Sequence, residues 1–227
     1  MLWHKIIGAG GVGGDALTLT YIGTADTGEN VRNTSNPVNF GSFNAASDGL
    51  MIVASATGNG SNAGVTSCTI GGASATEAAN SINVAYRRTS SGIFTREVTA
   101  GNQEVIATLN RAPRSAAVFV YLLTGYTSAT PTDTDADSKG SSGTSMSMTL
   151  DIPGPGVALY VVATRDDASG YSWSSATEDG EFLNGNDSGT YGGAAASKTT
   201  GTLLTAHVET ATYANDDERT MAAAAWS

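Results

Sequence analysis

The sequence predicts an all-β fold, an antiparallel β-sandwich of jelly-roll-like form behind a glycine-rich N-terminal arm. Three observations carry that prediction. The apolar runs are short and rich in Val, Ile, Phe and Tyr, a composition that suits strands better than helices. Turn-forming groups such as Asp48-Gly49, Gly58 to Gly60, Gly71-Gly72, Ser91-Gly92, Gly101-Asn102 and Pro153 to Gly156 interrupt the chain again and again. Charged residues make up only 14% of the chain, against roughly 25% in average soluble proteins, so small turn residues fill the space that charged helix surfaces would occupy.

Taken in order, residues 1–16 differ from the rest. Trp3, His4, Lys5, Ile6 and Ile7 precede the glycine-rich stretch containing Gly8, Gly10 and Gly11, which reads as a docking segment on a pliant stem, an attachment arm. Gly8, Gly10 and Gly13 also satisfy the dinucleotide spacing G-x-G-x-x-G. That chemistry needs a strand before the turn and a helix after it, and the following ALTLTYIG alternates like a strand. No nucleotide site is expected.

Residues 17–227 are read as the sandwich domain. Strands are expected over 17–22, 38–43, 49–57, 65–70, 73–79, 83–88, 93–98, 104–109, 115–123, 145–152 and 156–164. The run 115–123 is apolar on both parities, Val118, Val120 and Leu122 on one side and Phe119, Tyr121 and Leu123 on the other, so both of its faces should be covered. Runs 49–57 and 156–164 resemble it and are expected to join it in one hydrophobic wall. In 145–152 Met146, Met148, Leu150 and Ile152 alternate with polar residues and should point inward, paired with the run that follows Pro155. Residues 166–192 read as a polar surface excursion with one or two short strands. Two runs, 201–209 and 219–226, then close the fold; alanine propensity would allow a helix in the last, but its all-β context favours a strand.

Bulk properties exclude several functions. With 11 Lys and Arg against 21 Asp and Glu the formal net charge is −10, which repels nucleic acid and anionic membrane surfaces. Cys68 is the only cysteine, so neither an intramolecular disulfide nor a cysteine zinc site can form. No run approaches the roughly 20 apolar residues of a membrane span, and the N-terminus breaks into glycines too early for a secretory signal. Export by the general secretory route is not expected.

Catalytic patterns are sparse. The histidines are His4 and His207, and no Gly-x-Ser-x-Gly turn accompanies them, so a serine relay would have to recruit His207 from an apolar pattern where a sheet-surface role is expected. Glu178, Asp179 and Glu181 are the nearest thing to a glycosidase carboxylate pair, but 178 and 181 differ by an odd number and fall on opposite faces of a regular strand. Asp133, Asp135 and Asp137 imitate the first half of a calcium loop. Ser138 stands where such a loop needs glycine, and Thr144 where it needs a bidentate Glu, so an acidic loop is expected, with a calcium site of another kind as the alternative. Asp216, Asp217 and Glu218 form a second acidic cluster of the same sort. Tyr171, Trp173 and Tyr191 would serve either as a sugar-binding platform or as cover for a core edge or subunit contact.

Four stretches read together, WHKIIGAGGVGG at the start, DGLMIVASAT from Asp48, IGGASATEAA from Ile70 and AVFVYLLTGYTSATPTDT from Ala117, resemble β-sandwich virion proteins of tailed bacteriophages and phage-like gene-transfer particles. The resemblance covers most of the chain to about residue 164 and brings no catalytic residues. It implies a non-enzymatic structural component of the virion, made in the host cytoplasm. Such a protein would be a head decoration or spike held through the arm to other virion proteins, in a closed homo-oligomer for which three copies is the expectation. Its rivals are a tail or fibre protein that contacts a host glycan and a carbohydrate-binding or carbohydrate-active jelly-roll protein.

Overall fold

The computed structural model describes residues 16–27, 36–58, 64–81, 89–140, 143–165, 170–186, 189–214 and 218–227. No helix occurs among them, and hence none long and apolar enough to cross a membrane. The first part of the chain forms β1 (Thr18–Asp26), β2 (Val38–Ala45), β3 (Gly49–Gly58), β4 (Val65–Ile70), β5 (Ala73–Ser74), β6 (Thr76–Asn80), β7 (Thr89–Val98), β8 (Gly101–Leu109) and β9 (Ser115–Thr124). The second forms β10 (Asp133–Lys139), β11 (Ser145–Ile152), β12 (Gly156–Arg165), β13 (Ser172–Trp173), β14 (Thr177–Asn186), β15 (Gly189–Thr200), β16 (Leu204–Thr212) and β17 (Arg219–Trp226).

These strands make four antiparallel sheets whose order repeats. The first part gives β1-β9-β3-β7-β6 and β2-β8-β4-β5; the second gives β10-β17-β12-β15-β14 and β11-β16-β13. Matching β1 to β10, β2 to β11, β3 to β12, β4 to β13, β6 to β14, β7 to β15, β8 to β16 and β9 to β17 superposes the two orders, with β5 alone unmatched. Without β6, the first part runs first-eighth-third-sixth in one sheet and second-seventh-fourth-fifth in the other, the jelly-roll arrangement of eight strands in two sheets. The jelly-roll order expected once over 17–227 is therefore traced twice. Local lengths agree, since β3 and β12 are both ten-residue strands that start on a glycine and follow a three-residue connection, 46–48 or 153–155.

The sheets stack in four layers with three apolar cores between them. Val118, Val120 and Leu122 of β9 face β2, β4 and β8 in the first core, and Phe119, Tyr121 and Leu123 face β12 and β17 in the second. Both faces of this strand are covered, as its double apolar parity requires. The third core sets Ala158, Tyr160, Val162, Met221 and Ala223 against Met146, Met148, Leu150 and Ile152 of β11. Packing across the middle layer is reciprocal: β3 crosses β12, β7 lies on β12 as β15 lies on β3, and β6 meets β10 and β17 as β14 meets β1 and β9. Such reciprocity is the mark of an isologous, approximately two-fold contact. Buried polar ties cross it too, from Ser91 Oγ to the Thr220 carbonyl (3.0 Å) and from Asn184 Nδ2 to Ser115 Oγ (3.1 Å).

Several expectations need correction. Runs 49–57 and 115–123 do share a sheet, but 156–164 lies in the facing one. β11 pairs with β16 rather than with the run after Pro155, because the Pro153 to Pro155 connection carries the chain from one sheet to the next instead of closing a hairpin. The described part of 166–192 is no surface excursion: it holds β13, the ten-residue β14 and the start of β15, which sits inside its sheet. Close packing explains its small and aromatic residues: a side chain at Gly180 would strike the Tyr21 hydroxyl, Tyr191 lies against Gly58, and Phe182 lies against Gly193. The Asp133 segment is an edge strand, not a loop. The strand expected at 83–88 lies outside the described residues.

The body has two unlike ends. Leu17 borders Pro155 to Val157 and Thr199 to Gly201, and Val157 pairs with Trp226, so the root of the arm and the last strand share one end with the short connections 46–48, 99–100, 153–155 and 201–203. The linker 125–132 also lies there, bonded through Thr127 to Ser227. Connections 27–37, 59–64, 81–88, 110–114, 140–144, 166–171 and 213–218 all join strand ends at the other end.

Candidate functional site

On β14 a bulge undoes the parity argument made from sequence. Glu178 is opposite Ala196, Gly180 opposite Ala195 and Glu181 opposite Ala194, so Asp179 is the extra residue. Glu178 and Glu181 thus oppose residues two apart on β15 and share a face. Two positions along a strand rise roughly 6.6 Å, within the span over which paired carboxyl groups work in glycoside hydrolysis. Burial, then the charge of Glu181, raises the Glu178 carboxyl above its ordinary value; the Trp173 indole acts against them.

Asp179 turns to the other face. Its Oδ2 accepts a hydrogen bond from the Tyr121 hydroxyl (3.0 Å), which ties β14 to the middle core. Burial pushes the Asp179 carboxyl up, while Ser197 and Tyr121 hold it partly back. The same burial, with the Asp179 charge, raises Tyr121 far above a normal phenol.

The aromatic residues read as a platform are placed differently from one another. Tyr171 is buried, its ring 5.9 Å from that of Tyr213 and its hydroxyl 2.6 Å from Thr164 Oγ1. Tyr191 is also buried, over Gly58. Trp173 is half-buried, 6.2 Å from Tyr160, and it alone of the three presents surface beside Glu178.

A second polar cluster joins residues distant in sequence. Glu209 of β16 is fully buried; its carboxylate accepts hydrogen bonds from Ser174 Oγ (2.9 Å), the Ser175 N–H (2.8 Å) and Ser175 Oγ (2.6 Å). Lys198 Nζ donates to Ser175 Oγ (3.1 Å), and His207 Nε2 lies 3.2 Å from that hydroxyl and 3.4 Å from Glu209 Oε2. Burial pushes Glu209 up, but the Ser175 hydroxyl, the N–H groups of Ser175 and Ala176 and the Ser174 hydroxyl outweigh it and hold the carboxyl below its ordinary value. Serine, histidine and glutamate are all present, yet not in relay order. Ser175 and Glu209 approach the same ring nitrogen, and the serine proton goes directly to the carboxylate, so the imidazole is not the base of a nucleophile. The cluster clamps the turn between β13 and β14. Only the alternation His207-x-Glu209, which puts both on one face of a strand, announces it in the sequence.

On β10 the acidic residues have backbone partners. Asp133 Oδ2 accepts the Asp151 N–H (2.6 Å) and Asp135 Oδ2 the Thr149 N–H (2.9 Å), so two carboxylates cap the outer edge of β11, while Asp137 pairs with Lys139. Among the described residues no group of three or more His, Cys, Asp or Glu is arranged to hold a metal ion. Of the second acidic cluster, Asp216 and Asp217 lie outside the described residues, as do Trp3, His4, Lys5, Ile6, Ile7, Gly8, Gly10 and Gly11 of the arm. Cys68 is a core residue whose thiol burial pushes up to about 12, far from reactive.

No known protein-family model matches the chain, and no curated protein matches it significantly.

Proposed function

We propose that this chain is a non-enzymatic structural protein of a phage or phage-like particle, a head decoration or spike. The arm would hold it to other virion proteins, with the far end of the stack turned outward. The observation that carries the reading is the polarity of the body: the root of the arm, the end of the last strand and four connections of two or three residues gather at one end. Edge strands add support. β1, β2, β6 and β14 each contain a bulge or register shift, and β10 carries three carboxylates, devices that discourage strand-to-strand association and leave attachment to the arm. Burying Trp3, Ile6 and Ile7 in a neighbour would contribute roughly 1.5 to 3 kcal/mol each before ordering costs.

Two measurements test this. Gold label against the chain should decorate heads of purified particles, and label confined to tails would transfer the reading to a tail or fibre protein. Deleting residues 1–14 should leave the melting transition unchanged and abolish attachment; full occupancy by the truncated protein would remove the arm as anchor.

The second reading, a surface that contacts or cleaves a glycan, is favoured by the bulge that brings Glu178 and Glu181 together beside Trp173. It expects saccharide binding that is lost in Trp173→Ala, and, if cleavage occurs, loss of turnover in Glu178→Gln with binding retained.

A further inference from the structure

An exact two-fold relation would make the two seams between the halves alike, and they are not. On one seam Tyr21 and Tyr121 stack at 5.2 Å, Tyr121 reaches Asp179, and a side chain at Gly180 would strike the Tyr21 hydroxyl. That seam is filled. The matching seam, between β6, β7 and β10, is an open cleft of about 610 Å³. Its floor and rim combine Leu50, Ala129 and Pro131 with the carboxylates of Glu77 and Glu97. Glu77 spends one oxygen on Asn80 and Glu97 one on Tyr126, and Arg96, the only cation among the described residues that line the cleft, directs its guanidinium to the Ile70 carbonyl. The cleft therefore offers an apolar floor under a net negative rim. It lies at the end of the body where the arm is rooted: Leu50 pairs with Leu123, and Thr18 with Thr124, one residue further along β9.

We propose that this cleft takes the segment Trp3 to Ile7 from the arm of a second copy of the chain. This rests on the reading of the arm as a docking segment and makes a copy of the same chain one of the virion proteins it engages. The match is chemical. Residues 1–14 hold Lys5 and His4 and no acid, a basic and apolar segment on a chain whose net charge is −10. Trp3, Ile6 and Ile7 suit the apolar floor, and Lys5 the carboxylate rim. Leu17, at the root of the arm, lies at the same end of the body as the cleft, so two copies that meet by that end bring the root of each arm to the other's cleft.

Self-association of the full-length chain, followed by analytical ultracentrifugation over a concentration series at moderate salt, tests the pairing. Lys5→Glu and Glu97→Lys should each weaken association at least tenfold, and the double variant should recover to within about threefold of the natural chain. A natural chain that stays monomeric, a Lys5→Glu chain that associates normally, or a double variant no better than either single would overturn the proposal. Each variant is checked for an unchanged melting transition, and Glu77→Lys replaces Glu97→Lys should that one melt early. Gly8→Cys with a cysteine at the exposed Thr130, Thr130→Cys, should form a disulfide between two chains under oxidising conditions. A bond within one chain would overturn the second copy as donor, and no bond would overturn the cleft. These readouts use the isolated protein, so they stand or fall apart from where the label sits on particles.

Discussion

At three matched positions the two sandwiches differ in chemistry while keeping the same frame. On the matched strands β8 and β16, Gln103 lies opposite Phe43 in the first sandwich and His207 opposite Leu150 in the second, so Gln103 corresponds to His207 and the next inward residue, Val105, to Glu209. By the same matching Arg96, opposite Met51, corresponds to Lys198, opposite Ala158. Arg96 bonds the Ile70 carbonyl just before the Gly71-Gly72 turn; Lys198 bonds Ser175 in the turn after β13. A core position that is apolar in one sandwich is thus a buried carboxylate in the other. The fold tolerates the exchange because four donors from a single turn replace the water that the carboxylate gave up.

The largest effect should come from a charge that breaks the frame both halves share. Val120→Asp places an unpaired carboxylate in the first core, where Val120 is fully buried, and should prevent soluble expression. If the halves were independent, limited proteolysis of the variant would leave a resistant piece from about residue 133 on. None is expected, since β9 also forms the floor of the middle core on which β12 and β17 rest.

Glu209 gives the next largest effect. Glu209→Gln should cost about 1 to 3 kcal/mol at neutral pH, through weaker hydrogen bonds to Ser174 and Ser175. A carboxyl held below its ordinary value contributes stability above the unfolded-chain value and loses it as pH falls through the folded one. The natural chain should therefore lose the β13–β14 turn on acidification, as seen by hydrogen exchange, and the Gln variant should show a flatter acid limb. An equal slope in both would mean that another carboxylate sets the acid response.

Asp179→Asn should have the smallest effect and the opposite sign. Burial raises this carboxyl, so its ionised form opposes folding at neutral pH, and that penalty fades as pH falls through the folded value toward the unfolded-chain one. The amide keeps an acceptor for the Tyr121 hydroxyl, and a gain of up to about 1 kcal/mol at pH 7, vanishing in acid, is expected in thermal melts. A destabilised variant would show that the charge on the hydrogen bond outweighs its burial.

Strands whose side chains meet large neighbours were legible. β9 is apolar on both parities because it is covered on both faces, and β11 alternates because one face is wet. β15 was not, because Gly193 and Ala194 to Ala196 owe their size to sheets packed against them from elsewhere in the chain. β10 hid behind its carboxylates, which serve β11 instead of solvent. Strand parity gave the wrong answer for Glu178 and Glu181 because one bulge resets it. The doubling of the fold escaped because matched strands such as β3 and β12 share little beyond a leading glycine and an Ala-Thr pair near the end.

The gathering of Leu17 and Trp226 at one end bears on how the chain can be built upon. A polypeptide added after Ser227 would emerge beside the arm, on the side that the proposed attachment turns inward. A segment spliced into 59–63 or 166–169 would be carried at the other end. Gly58 and Arg165, the last residues of the matched strands β3 and β12, lie at the end away from the root of the arm, so the near two-fold relation offers each molecule a pair of grafting points there.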